Sequence, residues 1–164
     1  MTQAHKGLPV GFEIDPVVWT ITREKIAVYS RYVFNGRDTR NIHTDDEVAK
    51  RAGLPRAVAQ GRYPISYLSE RAMAFFGRGW ACGGKIDVVL VKLIFPGDTI
   101  TVRGVIREKV PEGSNTRLVL DIWLENQDGV RVTTGTASGV VGSVASRRHA
   151  TRISERGTIS PPNY

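Results

Sequence analysis

At 164 residues, with 41% hydrophobic and 24% charged side chains, the chain has the make-up of one globular domain and too little length for two of usual size. Its single cysteine, Cys82, excludes an intramolecular disulfide and a cysteine-based zinc site, and suits a reducing, cytoplasmic setting. No apolar run approaches the ~20 residues of a membrane span, and no charged-then-apolar leader opens the chain, so no membrane partner is expected. The net charge of +7 invites a nucleic-acid reading. Its distribution argues against one: Arg147, Arg148, Arg152 and Arg156, set against Glu155, supply +3 of it in the tail, and no basic stripe with interleaved aromatics occurs elsewhere.

Residues 1–14 read as a leader, loose over the first ten. Val17–Thr22 (VVWTIT) is a short β-rich run, and Thr22 is placed to cap a helix in which Ile26, Tyr29, Tyr32 and Val33 share one face. Asn35-Gly36 ends that helix. Thr44-Asp45-Asp46-Glu47, a cap followed by acids, opens a short helix through Arg51 that stops at Gly53. The segment from Gly61 to Phe76 has helical spacing and is apolar almost all round, the pattern of a helix buried in the middle of a domain. Pro64 lies in its first turn, where a missing N–H costs nothing. The glycines at 77, 79, 83 and 84 read as a flexible turn leaving this helix.

From Lys85 the pattern changes to strands: Lys85–Phe95, Thr99–Val110, Thr116–Glu125 and Val130–Val141, separated by turn-forming clusters. Helices first and strands afterwards make this α+β, with an antiparallel meander whose concave face wraps the buried helix. The organisation expected is a leader over 1–14, one domain over 15–141 and a basic tail over 142–164.

Reactive side chains concentrate between Asn35 and His43. His5 falls in the leader and His149 in the tail, so His43 is the one histidine expected within folded structure. Asp38 precedes it by five residues across a non-helical loop. An Asp/His pair in a cleft can share a water and move a proton at neutral pH. By itself the spacing fits a cap or a surface pair as well.

Phe34, Asp38, Ile42, His43, Ala49, Ala59 and Gly61, followed by Lys92 and Ile94-Phe95-Pro96-Gly97-Asp98-Thr99, resemble in order and spacing the MaoC-like, (R)-specific enoyl-CoA hydratase family. The resemblance covers about residues 15–141. It implies a hot-dog fold, an antiparallel sheet wrapped around one long helix and built as a homodimer or higher multiple. It also implies a hydratase/dehydratase (a lyase of fatty acid metabolism) acting across the C2=C3 bond of an acyl-CoA or acyl-carrier-protein thioester, with no cofactor and no metal beyond that substrate. Asp38 and His43 would carry the water, and the Gly61 N–H would bind the thioester oxygen at a helix start, where N–H groups are free. Ser69 would be a substrate-side hydroxyl and Lys92 a contact to coenzyme A phosphate.

The chain departs from the family pattern in the polar shell. Arg40-Asn41 stand where Asn-Pro is usual, Arg37 is an extra residue, Gln60 replaces a loop histidine, and Arg62 replaces an apolar residue. Arginines near an acyl pocket suggest a carboxylate on the acyl group, with Arg40 and Arg62 binding it. Outward-facing arginines paired with Asp45, Asp46 or Glu47 are the bland alternative. Two other functions stay open: a hot-dog thioesterase using Glu70 on the central helix, and a non-catalytic partner subunit of a heteromeric dehydratase.

Overall fold

A computed structural model describes residues 1–142, so the basic tail lies outside the described residues from 143 onward. The elements run β1 (Val17–Thr20), α1 (Arg23–Val33), α2 (Asp46–Arg51), α3 (Arg62–Phe76), α4 (Arg78–Gly83), β2 (Lys85–Leu90), β3 (Thr99–Glu112), β4 (Asn115–Glu125) and β5 (Arg131–Val141). They build one five-stranded antiparallel sheet in the order β1-β3-β4-β5-β2. The fold is α+β, with the sheet packed around α3 in the hot-dog arrangement.

The central helix forms where the apolar periodicity puts it. Leu68, Ala72 and Phe75 are buried on α3, and they meet the inward-facing residues of β3 and β4, among them Ile106, Leu120 and Ile122. β3 alternates one residue in and one out as far as Ile106, where its register on β4 shifts, and β4 does so from Arg117 onward, as a sheet with one face on a core must. Thr22 caps α1 as expected, its hydroxyl accepting from the Lys25 N–H at 3.2 Å. The cap of α2 is Asp45, one residue later than the first candidate, with its carboxylate accepting from the N–H groups of Glu47 and Val48.

Four expectations change. The strands are not a four-membered meander: β3, β4 and β5 follow one another, but β2 lies on the far side of β5. The run Lys85–Phe95 is strand only to Leu90, because the N–H groups of Val91 and Lys92 both turn onto the Val132 carbonyl and break the ladder. The glycine-rich segment after α3 is not a simple turn. Gly77, at φ +57°, ends α3, and α4 then packs so closely on β5 that a Cβ on Gly79 would collide with the Val140 carbonyl. Finally, the first residues are not loose. Leu8 and Ile14 are buried, Gly11 and Ile14 donate to the carbonyls of Ile106 and Gly104, and Ala4 donates to that of Phe75. The segment continues the β1 edge along β3 and closes one end of the core.

Candidate functional site

A cavity of about 410 Å³ opens where the loop after α1, the start of α3 and the segment after β2 meet. Its polar lining residues are His43, Gln60 and Lys92; Ile42, Leu54, Val58, Pro64, Leu90 and Leu93 are among the apolar ones. Ala59 donates to the Ile94 carbonyl and Val58 to that of Ile42, so the wall is stitched from three separated stretches of chain.

His43 is half-buried, and its ring is fixed. Nδ1 lies 2.8 Å from the Val58 carbonyl oxygen. A carbonyl only accepts, so Nδ1 carries the proton and the neutral ring keeps its lone pair on Nε2. The backbone is fixed by Asn41, whose amide oxygen accepts from the His43 N–H at 2.8 Å. The Asn41 NH₂ group donates to Thr39 Oγ1 at 2.8 Å and to Ser30 Oγ at 3.1 Å. Ser30 is buried on α1, so the loop carrying the histidine is anchored to a helix through one asparagine. Thr44 Oγ1 closes the turn by donating to the Thr39 carbonyl at 2.7 Å.

Gly61 lines the same cavity as the cap of α3. A side chain there would bring a Cβ within 2.9 Å of Leu90 Cδ1, so glycine lets the two walls approach this closely. The first turn of α3 contains no acidic residue; the Tyr63 N–H is taken by the Gln60 carbonyl at 2.9 Å and Pro64 has none, which leaves the N–H groups of Gly61 and Arg62 without a backbone partner among the described residues. That end of the cavity is a place for a developing negative charge.

The other candidate residues are placed differently. Asp38 does not reach the cavity wall. Its carboxylate takes hydrogen bonds from Arg31 Nε and Nη2 at 2.7 to 3.0 Å, and its side chain is 79% exposed. Asn35, at φ +52°, and Gly36, at φ +82°, turn the loop outward before it. Arg40 is an exposed partner of Asp45 at 2.7 Å, and Arg37 and Arg62 are exposed and off the wall. Ser69 is half-buried on α3 but does not line the cavity, and Glu70 is exposed and equally remote from it. Lys92 is exposed and does line it. In the wall from Leu90 to Ile94, only Lys92 carries a binding expectation in the sequence; Leu90, Val91 and Leu93 read there simply as strand. The unbroken apolar run Val88-Val89-Leu90-Val91, where the alternation of the strand stops, is the one sign of the wall.

Among the described residues no group of His, Cys, Asp and Glu side chains has the arrangement of a metal site, and no helix is long and apolar enough to cross a membrane. Cys82 is exposed and lines a second, wider groove at the other end of α3.

A sheet wrapped around one helix, with a histidine and a free helix start facing a largely apolar cavity, is the architecture of hot-dog proteins. The model of the MaoC-like domain matches residues 9–125, and the chain belongs to that family. Hydratase or dehydratase activity is what this membership supports at the level of the family. Solved structures share the fold at low identity. The monoamine oxidase regulatory protein from Archaeoglobus fulgius is 21% identical, with a TM-score of 0.68 over 88% of this chain and 97% of that one. The (R)-hydratase from A. caviae involved in PHA biosynthesis is 18% identical, with a TM-score of 0.63 over 84% and 98%. The ChsH1-ChsH2 complex from Mycobacterium tuberculosis contains a chain that is 16% identical, with a TM-score of 0.64 over 82% and 98%. A search of curated protein sequences finds no match.

Proposed function

We propose that this chain adds water across, or removes it from, the C2=C3 bond of an enoyl thioester, with His43 as its proton-transfer group. The observation that carries the reading is the cavity in which His43, held by Val58 so that Nε2 is the free nitrogen, shares a wall with the open start of α3. Water loses a proton to Nε2, its oxygen bonds to C3, and electron density moves through C2 onto the thioester oxygen. The Gly61 N–H and the end of the α3 dipole stabilise that oxygen. The enolate then takes at C2 the proton that Nε2 received from the water, which returns the ring to its neutral form. The family motif divides these transfers between His43 and Asp38, which requires the Asp38 carboxylate to leave Arg31 and turn inward with the loop.

The lining supports an uncharged acyl group rather than a carboxylated one. Arg37, Arg40 and Arg62 are off the wall, and a carboxylate would enter an apolar surface with no guanidinium to receive it. Lys92, exposed at the wall, suits a phosphate of coenzyme A or an acidic carrier.

The test follows the absorbance of crotonyl-CoA with the native protein and with His43→Ala. Loss of the conjugated absorbance by the native protein, abolished in the variant, is the expected result. Release of free thiol would indicate a thioesterase instead, and an unchanged spectrum would favour a non-catalytic partner subunit.

A further inference from the structure

Resting on the hydratase reading, we infer that Asn41 is the positioning residue of His43. Its side chain holds the 39–44 loop against α1, so that Nδ1 stays on the Val58 carbonyl and Nε2 stays free for proton transfer. Asn41 stands where the family pattern has proline, and a proline could make none of its side-chain contacts. It is half-buried, and both ends of its amide are engaged. Oδ1 accepts from the His43 N–H at 2.8 Å; Nδ2 donates to Thr39 Oγ1 at 2.8 Å and to Ser30 Oγ at 3.1 Å. A backbone N–H only donates, so the contact with His43 decides which amide atom is the oxygen. Ser30, at the far end of this chain of contacts, is only 2% exposed on α1.

The neighbouring contacts show what the amide adds. The loop is closed without it, because Thr44 Oγ1 donates to the Thr39 carbonyl at 2.7 Å and accepts from the Asn41 N–H at 3.1 Å. Val58 clamps the other side: its carbonyl accepts from His43 Nδ1, and its N–H donates to the Ile42 carbonyl at 3.2 Å. Neither contact reaches α1. Asp38 does meet α1, at Arg31, but in solvent. Without the amide the turn therefore survives yet can shift as a unit, and a ring that leaves Val58 no longer keeps its proton on Nδ1. Misplacing a reacting group by about 1 Å can cost ~10²-fold in rate, so the loss falls on turnover and not on folding. Asn41 does not line the cavity, and it acts through His43.

Turnover and the state of the ring test it together. Asn41→Ala should lower kcat for crotonyl-CoA about 10- to 100-fold, with KM within a factor of about three and melting within about 4 °C of native. Nitrogen NMR of the His43 ring, assigned by its absence in His43→Ala, should show Nδ1–H in the native protein and both tautomers in Asn41→Ala. Asn41→Asp keeps the oxygen that holds the His43 N–H, and the Ser30 and Thr39 hydroxyls can rotate to donate to it. It should recover at least a third of native kcat at its best pH, on the order of one lost weak contact. Its carboxylate favours the imidazolium, so on the acid side activity should fall away at a higher pH than in the native protein. Lys92 on the cavity wall and the Asp38–Arg31 and Asp45–Arg40 pairs are common to both proteins. Native kcat or an unchanged ring in Asn41→Ala overturns the inference. So does an unmoved acid side in Asn41→Asp, or a loss that follows melting temperature and is not recovered in that variant. A protein that turns nothing over, yet whose ring changes tautomer in Asn41→Ala and not in Asn41→Asp, keeps the positioning role and removes the hydratase reading.

Discussion

His43 and Asp38 are five residues apart in the chain, and the structure gives them opposite surroundings. The first is tied by Val58 and Asn41 into a half-buried cavity, and the second is in solvent against Arg31. His43→Ala should lose about 10²–10⁴ in turnover with little change in melting temperature, since the ring packs beside open space. Asp38→Ala should match it within tenfold, and Arg31→Ala should keep or raise turnover by releasing the carboxylate. Unchanged turnover in Asp38→Ala would show that the outward position is the working one. Asp45 offers a prediction from titration. The Val48 N–H, then Arg40, holds its carboxyl below the usual carboxylate range. A group depressed in this way contributes stability that is complete above its unfolded pKa of ~3.9 and is lost as pH falls through the lower folded value. Asp45→Asn keeps a capping oxygen, so melting near pH 7 should shift by no more than about 2–4 °C, while the steepening below pH 4 should lessen. An acid profile identical to the native one would show that the cap does not titrate as described.

At the scale of elements, β2 decides whether there is a cavity at all. It supplies Leu90, and the chain leaving it supplies Val91 to Ile94, yet among the described residues it is held on one side alone, by β5. At Gly135 the two strands meet too closely for a side chain, and a Cβ there would run into the Asp87 carbonyl. Gly135→Ala is therefore expected to displace β2, lower the urea midpoint and reduce thioester binding together. Binding retained alongside a lowered midpoint would show that the wall does not depend on the strand. Phe75→Ala acts on the other partner, α3. Removing a fully buried ring from a helix enclosed by the sheet should cost about 3–5 kcal/mol and be read as a lower unfolding midpoint.

For the whole molecule, both sheet edges face outward, and the β2 edge is apolar. Val89, Leu90, Val91 and Leu93 are all exposed along it. An exposed edge of this composition is a template for pairing with another chain. Sedimentation should give about twice the chain mass or a higher multiple. Val89→Lys should shift it toward the monomer and, because the cavity adjoins this edge, weaken thioester binding as well. A native monomer would count against the assembled site.

What the sequence determined by itself was whatever depends on near neighbours in the chain. The 3.6-residue apolar period of Gly61–Phe76, the twofold alternation of the long strands, the Thr22 cap and the motif from Asp38 to Gly61 are local patterns, and each element forms where its pattern lies. Even so, local pattern misplaced Tyr32: it lies on the apolar face by spacing but is 81% exposed, because α1 packs through Ile26 and Ser30 instead. Tertiary structure alone decided the rest. Strand order depends on which ladder leaves fewest backbone groups unpaired, so β2 closes on β5 across the sheet rather than beside its neighbour in sequence. The cavity is assembled from segments 42–64 and 90–94, whose contact no periodicity encodes. The direction of Asp38 was settled by a guanidinium one helix away, since a charged pair in solvent costs less than a carboxylate facing an apolar wall.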